Sequence, residues 1–126
     1  MTPRDTSRRP LTDLQQAILE FIWTHGPSTS ERLREGLARA HPLKDSSIRT
    51  LLRRLEERGY LTHRTDGKMF VYRATAARHR VAARAVRQII DRFCAGSVDQ
   101  FLVGMVDENV LSAEALQRLA KKAKKT

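Results

Sequence analysis

The hydrophobic spacing of this 126-residue chain changes at Gly59, and that change limits the folds open to it. Before Gly59, apolar side chains recur every three or four residues, as on the buried face of a helix. They are Ile48, Leu51, Leu52 and Leu55. After Gly59, two short β-prone runs flank Asp66-Gly67, a dipeptide typical of tight hairpin turns. The sequence therefore predicts a helix that starts near Asp45 or Ser46 and ends near Arg58, followed directly by a β-hairpin.

Two further helices are predicted upstream of this one. Residues 12–15 have the capping-box pattern, in which a Thr and a Gln satisfy each other's free backbone N–H groups. Gly26-Pro27 ends that first helix. A second helix is expected to begin at Ser28 or Thr29, where the capping pattern recurs, and to end at His41-Pro42.

Three short helices followed by a hairpin is the element order of a winged helix-turn-helix domain. We therefore expect a mainly α fold with a small β-hairpin, in which the third helix is the recognition helix and the hairpin is the wing. Met69, Phe70 and Tyr72 on the hairpin are expected to pack against the helices rather than to contact a partner.

The charge of the chain indicates the kind of partner. It has 24 Lys and Arg against 14 Asp and Glu, a net charge of +10, and such an excess attracts phosphate backbones and anionic membrane surfaces. No stretch approaches the roughly 20 apolar residues that a membrane span needs. The polar start of the chain has no signal-peptide core, and the single cysteine, Cys94, cannot form an intrachain disulfide. These features favour a cytoplasmic protein without membrane insertion.

The face of the third helix opposite its apolar stripe carries hydroxyl groups and arginines. Short hydroxyl side chains let the backbone approach the major groove, and arginine matches the two acceptors of guanine. Cations on the wing can reach an adjacent minor groove or phosphates. The predicted DNA-contacting residues are Ser46, Ser47, Arg49, Thr50, Arg53 and Arg54 on the helix, and Arg64, Lys68 and Arg73 on or beside the wing.

A solvated helix face is the alternative explanation of this pattern, because Arg and Ser are common on protein surfaces. The basic wing favours DNA contact over that alternative. Glu56 and Glu57 at the end of the helix would repel phosphate, so the helix is expected to enter the groove with its N-terminal end first.

Helical spacing returns after Arg73, is interrupted at Ala95-Gly96, and resumes in two shorter helices capped by Ser97 and Ser112. These helices are too few to fold alone, and a second copy of the chain is the simplest partner for their apolar stripes. Packing back onto the winged helix is the alternative. The predicted dimerisation residues are Val81, Ala85, Ile89, Phe93, Val98, Phe101, Leu102 and Met105.

The predicted organisation has four parts. They are a disordered N-terminus (1–10), a winged-helix DNA-binding domain (11–75), a helical dimerisation domain (76–120) and a basic tail (121–126).

Nothing in the sequence predicts catalysis, a metal site or a cofactor. Gly-rich phosphate loops, nucleophile elbows and cysteine clusters are missing from it, and its four histidines lack ligand spacing. Cys94 is expected to be a small buried hydrophobe, with a redox or metal role as the minority alternative.

Several segments match a known pattern. The most specific runs from Ser46 to Leu61, and shorter ones are Leu11–Gln15, His25–Thr29, Gly96-Ser97 and Leu111–Glu114. On these segments the chain resembles the penicillinase repressor family of winged-helix transcriptional regulators (BlaI, MecI and CopY type). The resemblance implies an intertwined homodimer that binds inverted repeats, often with TACA-type half-sites, in promoters of resistance or metal-homeostasis genes.

Two features depart from the family's pattern. Penicillin-sensing members are inactivated when a membrane protease cuts an Asn-Phe bond, and the matching position here is Gly104-Met105. Copper-responsive members carry paired cysteines near the C-terminus, whereas this chain has only Cys94. The copper switch is therefore not expected, and a sensor protease is expected as a partner only if its specificity differs.

The sequence thus predicts a homodimeric, non-enzymatic repressor that binds double-stranded operator DNA, controls antibiotic-resistance or stress genes and acts by blocking polymerase. Two alternatives stay open. One is a non-specific nucleoid-associated protein, which the charge fits equally well, and the other is a winged-helix module that binds a protein.

Overall fold

The computed structural model describes residues 9–124. Within that range it contains α1 (Asp13–His25), β1 (Ser28–Thr29), α2 (Ser30–Leu37), α3 (Asp45–Glu57), β2 (Leu61–Asp66), β3 (Met69–Ala74), α4 (Arg78–Phe93), α5 (Val98–Asp107) and α6 (Ala113–Lys124). The expected mainly α fold with a small β element is confirmed. The predicted disordered segment 1–10 lies outside the described residues apart from Arg9 and Pro10, as does the end of the predicted basic tail.

The start and end of α1 follow from the sequence as predicted. The Thr12 hydroxyl accepts the N–H of Gln15 at 3.1 Å, and the Gln15 side-chain oxygen accepts the N–H of Thr12 at 3.1 Å. This reciprocal pair is the capping box. At the other end, Gly26 has a φ of 87°, a conformation that residues with a Cβ rarely adopt, and the helix stops there.

The predicted start of the second helix is wrong by one or two residues. Residues Ser28–Thr29 form the strand β1, and the helix begins at Ser30. Thr29 is the cap, because its hydroxyl accepts the N–H of Arg32 at 3.2 Å. Ser28 turns back instead and donates to the carbonyl of Gly26 at 2.9 Å, so the expected Ser28 capping box does not form.

β2 and β3 form the predicted hairpin, with Gly67 in the turn at a φ of 65°. The strands are antiparallel, and Leu61 lies opposite Ala74. A third strand was not predicted: β1 pairs antiparallel with β3, with Ser28 opposite Tyr72, so the order of the sheet is β1-β3-β2. Two residues are too short for any hydrophobic period to predict a strand.

The core lies between α1, α2, α3 and the buried face of this sheet. It includes three of the four apolar residues that defined the predicted third helix, Ile48, Leu52 and Leu55, none of which is exposed. Ile18, Leu19, Leu33 and Leu61 are likewise at most 2% exposed. The buried apolar stripe of α3 therefore anchors this helix in the core.

The chain divides into two compact units, one ending at Ala83 and the other beginning at Arg84. The division falls inside α4. The start of this helix belongs to the first unit, where Val81 joins the core cluster. There the Trp23 indole N–H donates to the carbonyl of Ala76 at 3.1 Å, and Arg78 pairs with Glu20 at 2.6 Å.

The second unit contains the rest of α4 together with α5 and α6. The caps predicted for the two shorter helices are present: the Ser97 hydroxyl accepts the N–H of Gln100 at 3.2 Å, and that of Ser112 accepts the N–H of Ala115 at 3.0 Å. The connection before α5 contains Ala95 and the connection before α6 contains Asn109, and both residues have positive φ. Cys94 at the end of this α4 segment is half-buried.

Candidate nucleic-acid interface

The outer face of α3 lies opposite the buried stripe. Ser46, Thr50, Arg53 and Glu57 occupy this face, which the helix geometry places away from Ile48. The Arg53 side chain is 68% exposed and its Nε lies 3.9 Å from a carboxylate oxygen of Glu57. The Thr50 hydroxyl donates to the carbonyl of Ser46 at 3.0 Å, so its oxygen remains available only as an acceptor.

Arg49 lies on the side of α3 that faces the wing rather than on the outer face. Its Nε is 3.1 Å from Oδ2 of Asp45, one helical turn earlier. Ser47 and Arg54 lie on the opposite flank of the helix. The six predicted contact residues of α3 thus occupy three adjoining strips of its surface.

The wing cations are also divided between two places. Arg64 lies opposite Val71 and Arg73 opposite Thr62, so both arginines point to the outer face of the sheet. Lys68 lies in the turn that joins the strands. All three predicted wing cations are exposed.

A side-chain cluster ties the wing to the recognition helix. Nδ1 of His63 is hydrogen-bonded to the carboxylate of Glu56 on α3. The His63 ring stacks on Phe70 with a centroid separation of 4.2 Å and lies 5.5 Å from the ring of Tyr72. Glu56 is therefore occupied by the wing.

Tyr72 packs against the helices as predicted, whereas the same prediction is wrong for Met69 and Phe70, which are 46% and 48% exposed. Both residues lie at the start of β3, next to the hairpin turn. The pKa of the Tyr72 hydroxyl is raised, mainly because the group is buried and also because the negative charge of Glu56 is near. The Arg49 guanidinium lowers this pKa by a smaller amount.

Between α2, α3 and the wing lies a cavity of about 600 Å³, which we call the wing cleft. It is lined by Thr29, Ser30, Glu31, Arg34, Asp45, Arg49, Lys68, Met69, Phe70 and Tyr72. Two of the predicted contact residues, Arg49 and Lys68, meet here although 19 positions separate them in the sequence. The cleft is therefore lined by three cations, Arg34, Arg49 and Lys68, and by the carboxylates of Glu31 and Asp45.

Arg34 is a member of the wing cleft that the sequence analysis did not identify. Its Nε is buried and has no hydrogen-bond partner. An unpaired buried donor on a charged group is costly in a folded protein, and Nε of Arg58, outside the cleft, is in the same state. The signal in the sequence was weak, because Arg32, Arg34 and Arg39 lie close together and spacing alone does not distinguish them.

The predicted dimerisation residues are placed differently from one another. Val81 is only 8% exposed, in the core of the first unit, where it packs within one chain. Ala85, Ile89, Phe93 and Val98 are exposed, and Phe101, Leu102 and Met105 are half-buried. Other apolar side chains of the second unit are also exposed, namely Val103, Val110 and Leu119.

In the described part of the chain, residues 9–124, none of the helices has the length and apolar character needed to span a bilayer. Over the same residues, no cluster of three or more His, Cys, Asp or Glu side chains could hold a metal ion.

Known proteins share this sequence pattern and this fold. An uncharacterised 16.5 kDa protein of Latilactobacillus sakei is 26% identical over 109 residues, which cover 86% of this chain and 75% of that protein. The penicillinase repressor of Bacillus licheniformis is 22% identical over 109 residues, 86% of this chain and 85% of the repressor.

Among solved structures, the DNA-binding domain of the repressor BlaI matches with a TM-score of 0.50 at 23% identity, covering 62% of this chain and 90% of that domain. This similarity confirms the winged-helix fold. The sequence model of the penicillinase repressor family matches residues 11–125, nearly the whole chain. The chain therefore belongs to the penicillinase repressor family, whose members are DNA-binding transcriptional repressors.

Proposed function

We propose that this protein is a homodimeric repressor that recognises an inverted-repeat operator through α3 and the wing. The wing cleft is the observation that carries the proposal. It gathers Arg34, Arg49 and Lys68 around one cavity directly beside the outer face of α3. Arg34 and Lys68 would bind the DNA backbone there, next to a base-reading helix, and sequence-selective DNA binding requires both kinds of contact.

The outer face of α3 would enter the major groove. Ser46 and Thr50 leave little bulk between the helix and the bases, and Arg53 is long enough to reach a guanine edge. The wing cleft would then receive the phosphate strand that borders this groove. Arg34 lines the cleft and would add a positive charge beside that strand.

The acidic residues of α3 fit the same orientation. Glu56 is held by His63, whereas Glu57 is exposed and lies 3.9 Å from Nε of Arg53. Both lie at the C-terminal end of the helix. Insertion of the N-terminal end places them farthest from the phosphates.

The second unit would supply the dimer contact. Its exposed apolar side chains include Ile89, Phe93, Val98 and Val103, on two consecutive helices. A second copy is the partner that offers the same surface in return, since most oligomers of soluble proteins are symmetric. Phe101, Leu102 and Met105 are half-buried on the same α5 and would extend this surface.

Two joined DNA-binding units would read two half-sites, and linking them raises the affinity for the pair above that for either alone. Occupation of a promoter by such a dimer, in the cytoplasm where the chromosome lies, would exclude polymerase. Gly104-Met105, where the family resemblance places the cleaved bond, lies within α5. A sensor protease would therefore have to unwind this helix before cutting it.

The test is fluorescence anisotropy with DNA from upstream of the protein's own gene and with a scrambled duplex of the same composition. We expect the wild type to prefer the upstream duplex by about a thousandfold. Arg53→Ala is expected to remove much of that preference. Arg118→Ala, which deletes an exposed arginine on α6, is the matched control and should leave the preference intact.

Two results would contradict the proposal. Equal binding to both duplexes, with an affinity set only by salt, would indicate a non-specific nucleoid-associated protein. Failure to bind either duplex would indicate a winged helix that binds a protein instead of DNA.

A further inference from the structure

Asp45 presents a negative charge where DNA binding favours positive ones. It is the first residue of α3, its side chain is 55% exposed, and it lines the wing cleft. In the proposed orientation this end of the helix approaches the phosphate backbone. A carboxylate there weakens binding to any DNA sequence, because phosphate contacts supply most of the non-specific affinity.

The contact between Asp45 and Arg49 shows what this carboxylate can do. It engages Arg49 through Nε at 3.1 Å, within hydrogen-bonding distance. A guanidinium group has five N–H donors in a rigid plane. A carboxylate at Nε leaves the outer edge, formed by Nη1 and Nη2, free for another pair of acceptors.

Guanine and phosphate differ in how strictly they require this free edge to be oriented. Guanine offers N7 and O6 in one plane and requires the arginine fork to lie in that plane. A phosphate accepts a cation from many directions, so a freely moving arginine binds it well. Holding the fork in the plane of a guanine edge lowers the entropic cost of that contact and not the cost of a phosphate contact from another direction.

The second ion pair of α3 is looser. Arg53 and Glu57 are 3.9 Å apart at their closest nitrogen and oxygen, beyond hydrogen-bonding distance. Glu57 also lies at the end of the helix that points away from the DNA in the proposed orientation. The same positioning effect is thus carried by Asp45 and not by Glu57.

We propose that Asp45 is a specificity-determining positioning residue, which orients the Arg49 guanidinium for a guanine edge and penalises contact with phosphate alone. This inference rests on the proposed function, in which α3 reads DNA. Asp45 acts through Arg49.

The experiment measures dissociation constants of wild type and Asp45→Asn for the preferred duplex and for the scrambled duplex. We expect Asp45→Asn to bind scrambled DNA more tightly and to lose roughly tenfold of the wild-type preference, about the discrimination carried by one bidentate base contact. Asp13→Asn is the matched control. Asp13 is likewise the exposed first residue of its helix, α1, so this variant loses the same charge and the same helix-end interaction away from the wing cleft.

A comparison in the Arg49→Ala background distinguishes positioning of Arg49 from a merely stabilising role of Asp45. In the Arg49→Ala background, Asp45→Asn is expected to leave the preference unchanged, because the oriented side chain is gone. An equal loss of preference in both backgrounds would overturn the inference, since Asp45 would then read a base itself.

The remaining outcomes separate this inference from the proposed function. A strong wild-type preference that Asp45→Asn retains within twofold would overturn the positioning role alone. A preference lost equally in Asp13→Asn would also overturn it, since the effect would then come from charge or stability. A wild type that binds both duplexes equally would overturn the proposed function and this inference with it.

Discussion

The backbone of α2 at Gly36 lies very close to the ring of Phe21 on α1. A Cβ added at Gly36 would lie 2.1 Å from Cε2 and 2.6 Å from Cζ of Phe21. No real side chain tolerates such distances, so the Phe21 ring occupies the space that a larger residue at position 36 would need.

We therefore expect Gly36→Ala to destabilise the protein by about 1 kcal/mol, because the half-buried Phe21 ring must shift to make room for the new methyl group. Urea unfolding measures the change. In a Phe21→Leu background the clash should be smaller, and the cost of Gly36→Ala should fall. A Gly36→Ala protein that is more stable than the wild type would show that alanine's higher helix propensity outweighs the contact.

Tyr72 predicts a loss of stability at high pH. Its pKa is raised above the ordinary value near 10, so the folded state favours the neutral phenol. The stability that depends on this preference is fully present below pH 10 and is lost as the pH rises through the folded-state pKa.

Between pH 8 and pH 11, the unfolding free energy of the wild type should therefore fall more than that of Tyr72→Phe. The difference between the two losses of unfolding free energy measures how far folding shifts the pKa of Tyr72, at about 1.4 kcal/mol for each tenfold change in the acidity constant. Equal losses in both proteins would contradict a role for this hydroxyl.

At the scale of elements, α3 was predictable and β1 was not. The stripe from Ile48 to Leu55 extends over about two turns, and each apolar position adds to the same signal. β1 has two residues, and pairing with a distant part of β3 is what makes it a strand. Sequence spacing describes local regularity, whereas such pairing depends on the tertiary fold.

The candidate site shows the same division. Arg49 and Lys68 were identified from charge and position, yet only the fold brings them to one cavity. Arg34 could not be singled out, because its distinguishing property is the burial of Nε and not its place in the sequence. The exposure of Phe70 was likewise misjudged, since an aromatic residue in a strand is usually covered.

The wing makes its own prediction for DNA binding. Lys68 in the turn can contact phosphate but is not placed on the base-reading face of α3, so Lys68→Ala should weaken binding to the preferred and the scrambled duplex by similar factors. The slope of log affinity against log salt should decrease by about one. Lys121→Ala on α6 is the control, and a selective loss for the preferred duplex would instead assign Lys68 to base recognition.

For the whole molecule, the exposed apolar surface of the second unit predicts a dimer. Phe93 is 75% exposed and Val103 60% exposed, so truncation of either should cost the isolated chain little stability. The double change Phe93→Ser and Val103→Ser should shift the protein from dimer to monomer in analytical ultracentrifugation. It should also weaken binding to a two-half-site duplex far more than to a single half-site.

Gln100→Ser, at an exposed polar position on α5, is the matched control and should leave the dimer intact. A wild type that sediments as a monomer at micromolar concentration would contradict the proposed assembly.

α4 belongs to both units, and this sharing has a thermodynamic consequence. Its first turn seats Val81 in the core of the first unit, while its last turns lie in the second. Helices form and melt cooperatively, because each residue's hydrogen bond depends on its neighbours being helical. Loss of helical structure at the C-terminal end of α4 therefore weakens the packing of Val81 in the core against which α3 packs. Heating should therefore unfold the two units in one transition. A change that destabilises the helices of the second unit should also lower the melting temperature of the first unit.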